Sequence, residues 1–70
     1  MTDSERLRKI IKKSGYKMYK IAEELGISPY SLQKKIDNVV DFKVTEVRTL
    51  AEFLGLNKDQ VNSIFFCKSA

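Results

Sequence analysis

The sequence predicts an all-α fold, a compact five-helix domain, and three observations predict it. Apolar residues recur at i, i+3, i+4 and i+7 spacing along nearly the whole chain, and no strand-like alternation competes with them. Gly15, Gly26, Gly55 and the Ser28-Pro29 pair cut that pattern into segments of helix length. The chain has 70 residues, without repeats or a linker, which is room for one domain. A domain this small buries only about 60% of its unfolded surface, so its core has little to spare.

Each element has its own signals. Thr2 and Glu5 are spaced as a capping box, and Leu7, Ile10 and Ile11 give the stripe of a first helix over about 3–14. Gly15 can end it in a left-handed conformation. Met18, Ile21, Ala22 and Leu25 mark a second helix, about 17–25, closed by Gly26. Ser28 as N-cap and Pro29 at the first position open a third, about 28–37, whose inner side is Leu32 and Ile36. Asp37 to Phe42 is a loop in which Phe42 plugs the core. Val44, Val47, Leu50, Ala51 and Leu54 define a fourth helix, about 44–54, ended by Gly55. Asn57 with Gln60 form a capping box for a fifth, about 57–66, with Leu56 and Val61 as a hydrophobic staple and Val61, Ile64 and Phe65 facing inward.

Composition narrows the function classes. The chain has no histidine and one cysteine, Cys67, so neither a disulfide, a metal site nor a histidine-based catalytic pair is expected, and no cofactor is implied. The N-terminal MTDSERLRK lacks the apolar core of a signal peptide, and no apolar run approaches the roughly 20 residues of a membrane span. A cytoplasmic, non-enzymatic domain is the expectation. The net charge is +4, and residues 1–36 carry nine Lys/Arg against four Asp/Glu, whereas residues 37–70 carry four against five. Positive charge gathered in one half suits a polyanion, though a solvated helix face has the same composition.

The pair formed by the second and third helices carries the functional reading. Ala22 is small enough for a second helix to cross closely, Gly26 permits the positive φ of a tight turn, Ile27 enters the core and Ser28-Pro29 restarts the helix at once. Leu32 and Ile36 hold the third helix inward, which leaves Tyr30, Gln33, Lys34 and Asp37 on its outer face.

The run Ile21-Ala22-Glu23-Glu24-Leu25-Gly26-Ile27-Ser28, followed by Leu32 and Ile36, resembles the helix-turn-helix of the Cro/C1-type phage repressor family. The resemblance covers roughly residues 5 to 66 and implies a lambda-repressor-like DNA-binding domain with its helix-turn-helix at the second and third helices. The stretch from Gln33 to Phe42 is similar to short phage and prophage regulators of Gram-positive bacteria. It implies a sequence-specific double-stranded DNA-binding regulator, a Cro-like repressor in the bacterial host cytoplasm, acting as a homodimer on a partly palindromic operator without a small-molecule ligand. Two positions depart from the family pattern. Met18 stands where many members have a phosphate-binding Gln, and Asn38, preceded by acidic Asp37, stands where a loop glycine is usual. Asn tolerates positive φ, so the turn is retained.

With the third helix in the major groove, Gln33 is the candidate for adenine, Lys34 for guanine or a phosphate, and Tyr30 for a thymine methyl or, through its hydroxyl, a phosphate. Lys17, Ser28, Ser31, Asn38 and Lys43 are the candidate phosphate contacts, whereas Lys9, Lys12 and Lys13 read as a solvated face. Tyr16, Tyr19, Tyr30, Phe65 and Phe66 are more aromatics than so small a core takes. Phe65 and Phe66, adjacent on a helix, cannot both point the same way, and the more exposed of them marks either a homodimer seam or an aromatic folded back over a small core. The rival reading is a protein-interaction module, antitoxin-like or antirepressor-like, on the same fold.

Overall fold

The computed structural model describes residues 1–66, and Cys67 lies outside them. Five helices make up the regular structure of the described residues: α1 (Ser4–Ser14), α2 (Met18–Leu25), α3 (Pro29–Ile36), α4 (Val44–Leu54) and α5 (Lys58–Phe65). Their bounds differ from the expected ones only where a cap was counted as helix. α1 packs against α3, α4 and α5, α2 packs against α3 and α4, and α4 packs against α5. None of the helices is long and apolar enough to cross a membrane.

Glycine sets three of the helix ends. Gly15, Gly26 and Gly55 each stand just past a helix in the left-handed region, and at Gly26 (φ 71°) the cap N–H returns to Ala22 and Glu23 while Ile27 N–H bonds Ala22 O at 3.0 Å. A residue with a Cβ resists that conformation, so the two-helix corner after α2 depends on glycine. Ser28 caps α3 by accepting from Ser31 N at 3.1 Å, and Asn57 and Gln60 form the reciprocal box on α5 at 2.8 and 2.9 Å.

Two local expectations are corrected. α1 is capped by Asp3, whose carboxylate accepts from Arg6 N at 3.1 Å, and not by Thr2. A carboxylate is the better acceptor against the positive helix end, and Thr2 is buried with its backbone bonded to Asn38. Val44, expected on the inner stripe of α4, is 70% exposed. It occupies the first position of that helix, and the inner stripe begins one turn later at Val47.

The core is Leu7, Ile11, Ile21, Ala22, Leu32, Ile36, Val47, Leu50, Ile64 and Phe65, with Phe42 and Ile27 among the partly buried residues packed on it. Phe42 meets Phe65 edge-on, ring centroids 5.3 Å apart, which closes the loop over the core as expected. A buried ion pair joins α3 to α4 beside that core. Lys35 Nζ on α3 reaches Glu46 Oε1 on α4 at 2.5 Å, with both side chains buried. The same oxygen accepts from Lys43 N at 2.8 Å. Lysine has no acceptor, so the Lys43 side chain cannot complete a capping box and only the Glu46 half forms.

Burial pushes the Glu46 carboxyl up, but the hydrogen bonds from Lys35 and Lys43 N and the two ammonium charges outweigh it, and its pKa lies below the ordinary 4.5. A depressed carboxyl stabilises the fold above its unfolded value and loses that contribution as pH falls through the folded value. The thermal midpoint should therefore fall as pH drops below 4.5. Glu46→Gln should start lower at neutral pH and lose less on acidification. Breaking the pair from one side strands a buried charge, at about 3 kcal/mol. Lys35→Met with Glu46→Leu should accordingly be more stable than either single variant in urea unfolding.

Candidate nucleic-acid interface

α3 is divided by its periodicity. Leu32, Lys35 and Ile36 are buried, and Tyr30, Gln33, Lys34 and Asp37 take the opposite side. Tyr30 is 69% exposed, and the Lys34 ammonium lies 4.7 Å from the centre of its ring, a cation–π pair one turn apart. Gln33 and Asp37, also one turn apart, are joined through Arg8 of α1. Arg8 Nη2 donates to Gln33 Oε1 at 3.2 Å and to Asp37 Oδ1 at 2.5 Å. The outer side thus consists of two rows: an aromatic–ammonium pair, and an amide and carboxylate tied to a guanidinium. Asp37 faces solvent already paired with a cation, which lessens its repulsion toward an approaching anion.

The candidate phosphate contacts fall into three groups. Ser28 and Ser31 share a hydrogen bond between their hydroxyls at 3.0 Å, at the start of α3, so Ser28 serves first as a cap. Lys17 is exposed at the N-cap of α2, where no side chain caps the helix and no acidic residue stands in the first turn. Its partial positive charge is therefore left uncompensated by the chain. Lys43 is exposed at the N-cap of α4, and its backbone shares Glu46 with Lys35 of α3.

Asn38 has another occupation. Its φ of 64° is the left-handed conformation that the loop requires, as expected. Its side chain, however, is committed to the N-terminal segment: Oδ1 accepts from Thr2 N at 2.8 Å, and Nδ2 donates to Thr2 O at 2.7 Å and Ser4 Oγ at 3.1 Å. Ser4 Oγ in turn donates to Ile36 O. These bonds clip the start of α1 to the end of α3 and leave Asn38 without a free group for a phosphate. Phe65 is likewise spent, being 5% exposed in the core, and Phe66 is the exposed member of the aromatic pair at 57%.

Arg8, Lys35 and Glu46 were missed by sequence reasoning. Arg8 meets Gln33 and Asp37 across 25 and 29 residues, and Lys35 meets Glu46 across 11, so no local spacing pairs them. A buried position for Lys35 was legible from its place beside Ile36, but its partner was not.

The Asn38 clip makes a testable distinction. Asn38→Gly keeps the φ and loses the side-chain bonds, whereas Asn38→Ala loses both. Asn38→Ala should be the less stable of the two in urea unfolding, by about 1 kcal/mol, the cost of a left-handed conformation for a residue with a Cβ. Both should fall below the wild type by about 1 kcal/mol or more for the lost hydrogen bonds.

Neither a curated protein nor a solved structure matches the chain. A family match covers residues 2–68, which is all five helices. The chain belongs to the family described as Protein of unknown function (DUF739).

Proposed function

We propose that α2, the Gly26 corner and α3 form a helix-turn-helix that binds duplex DNA, and that the protein is a Cro-like transcriptional repressor of phage or prophage type. The observation that carries this is the side of α3 described above: Tyr30, Gln33 and Lys34 lie outward on a helix whose opposite side is fully buried. That arrangement suits entry of one short helix into the major groove, with polar side chains on base edges. Lys17 and Lys43 serve as phosphate clamps, and Ser28 and Ser31 approach the backbone at the start of α3. The uncapped start of α2 adds a partial positive charge to Lys17.

The protein acts as a homodimer in this reading, with Phe66 in the seam. Phe66 is exposed beside a shallow hollow lined by Met1, Phe42 and Val47 together with Thr2 and Asp41. Two copies would meet half-sites about one helical turn of DNA apart. The same surface favours the second reading, a protein-interaction module whose partner is another protein.

Binding to random-sequence duplex, measured by fluorescence anisotropy at two salt concentrations, separates the readings. The proposal expects binding at low salt that weakens steeply as salt rises. Absence of binding at low salt would sink it in favour of a protein partner. Gln33→Ala with Lys34→Ala should remain folded and lose about 1–3 kcal/mol of preference for a selected sequence over random duplex. Full retention of that preference contradicts the role given to α3.

A further inference from the structure

Arg8 does more than neutralise Asp37. The guanidinium carries only N–H donors, so the group it meets on Gln33 is necessarily the carbonyl oxygen. A solvent-exposed glutamine can turn its amide over and offer either end. Here one end is fixed, because Arg8 is itself anchored on Asp37, the next residue along the same row of α3. With one of the two Oε1 lone pairs taken by the charged Arg8, the carbonyl end stays turned toward the guanidinium, and Nε2, which only donates, is the end left to meet a base.

We infer that Arg8 sets the base preference of Gln33 by holding its carbonyl oxygen, so that Gln33 reads guanine in place of adenine. The inference rests on the proposed entry of α3 into the major groove. Adenine presents an N7 acceptor beside an N6 donor, and a glutamine needs both amide ends to match it. Guanine presents two acceptors, N7 and O6, which suit an amide that turns its N–H end to the base while its carbonyl is held by Arg8. Cytosine presents a donor and is disfavoured. Arg8 is a positioning residue in this scheme: it acts on the DNA through Gln33.

The test is selection of bound duplexes from a random library by the wild type, Gln33→Ala, Arg8→Met and Asp37→Asn. Gln33→Ala identifies the base position that Gln33 reads, as the one whose preference flattens. The wild type should favour guanine there, and Arg8→Met should shift the guanine-to-adenine ratio toward adenine by about tenfold. Asp37→Asn, which keeps Arg8 but removes its carboxylate anchor, should shift the ratio in the same direction by less. Arg8 is exposed, so Arg8→Met is expected to fold, and a thermal melt of each variant checks this.

A merely structural Arg8 would lower the melting temperature, or weaken all duplexes alike, without moving that ratio. An unchanged ratio in both Arg8→Met and Asp37→Asn, or adenine preferred by the wild type, overturns the inference while leaving DNA binding intact. Failure of the wild type to enrich any sequence overturns the DNA reading itself, and the inference with it.

Discussion

The anchoring of α3 is the constraint on which the remaining architecture depends. Eight residues are too few for a helix that is stable alone in water, so its position is imposed by what it packs on. Leu32 and Ile36 are fully buried in the same core as Ile21 and Ala22 of α2, each large side chain contributing about 2 kcal/mol. Polar ties act from the other elements. Glu46 of α4 holds Lys35, and the Thr2–Ser4–Asn38 clip fastens the end of α3 to the start of α1. A helix fixed so completely on one side carries on its other side only exposed ties, those of Arg8 to Gln33 and Asp37, and that outer side is what the proposed function uses.

The same ties alter the electrostatics read from composition. Of the nine basic residues in the first half of the chain, Arg8 pairs with Asp37, Lys35 with Glu46, and Lys20 with Glu23 and Glu24. The exposed pairs contribute little to stability and are screened by salt, whereas the buried one removes a lysine from the surface. The cationic character outside these pairs includes Arg6, Lys9, Lys12, Lys13, Lys17 and Lys34 in the first half, and Lys43 just past α3. Three of these, Lys17, Lys34 and Lys43, stand on or at the ends of the elements around α3, and the proposed clamps are drawn from them.

Local signals made most of the fold legible. Gly26, Ser28-Pro29 and the Asn57/Gln60 box act within a few residues, and each produced the turn or cap its spacing implied. The first cap went to Asp3 because Thr2 is taken by a partner 36 residues away. Val44 lies outside the buried stripe at the first position of α4, where the helix has not yet reached the residues that pack on the core, Val47 and Leu50. Within the candidate site, the outward set of Tyr30, Gln33 and Lys34 followed from helical periodicity. The hold of Arg8 on Gln33, and the commitment of Asn38 to α1, required two segments to be brought together by the fold. Phe65 and Phe66 divided, Phe65 into the core and Phe66 to solvent.

The central claim is that the outer side of α3 is the surface that meets DNA. The most direct measurement is a titration of isotopically labelled protein with a short duplex, followed by amide and side-chain NMR shifts. The account predicts that the largest changes fall on Tyr30, Gln33 and Lys34, including the Gln33 side-chain amide, with Lys17 and Lys43 next. Changes confined to Phe42, Val44 and Phe66, or no change at low salt, would contradict it.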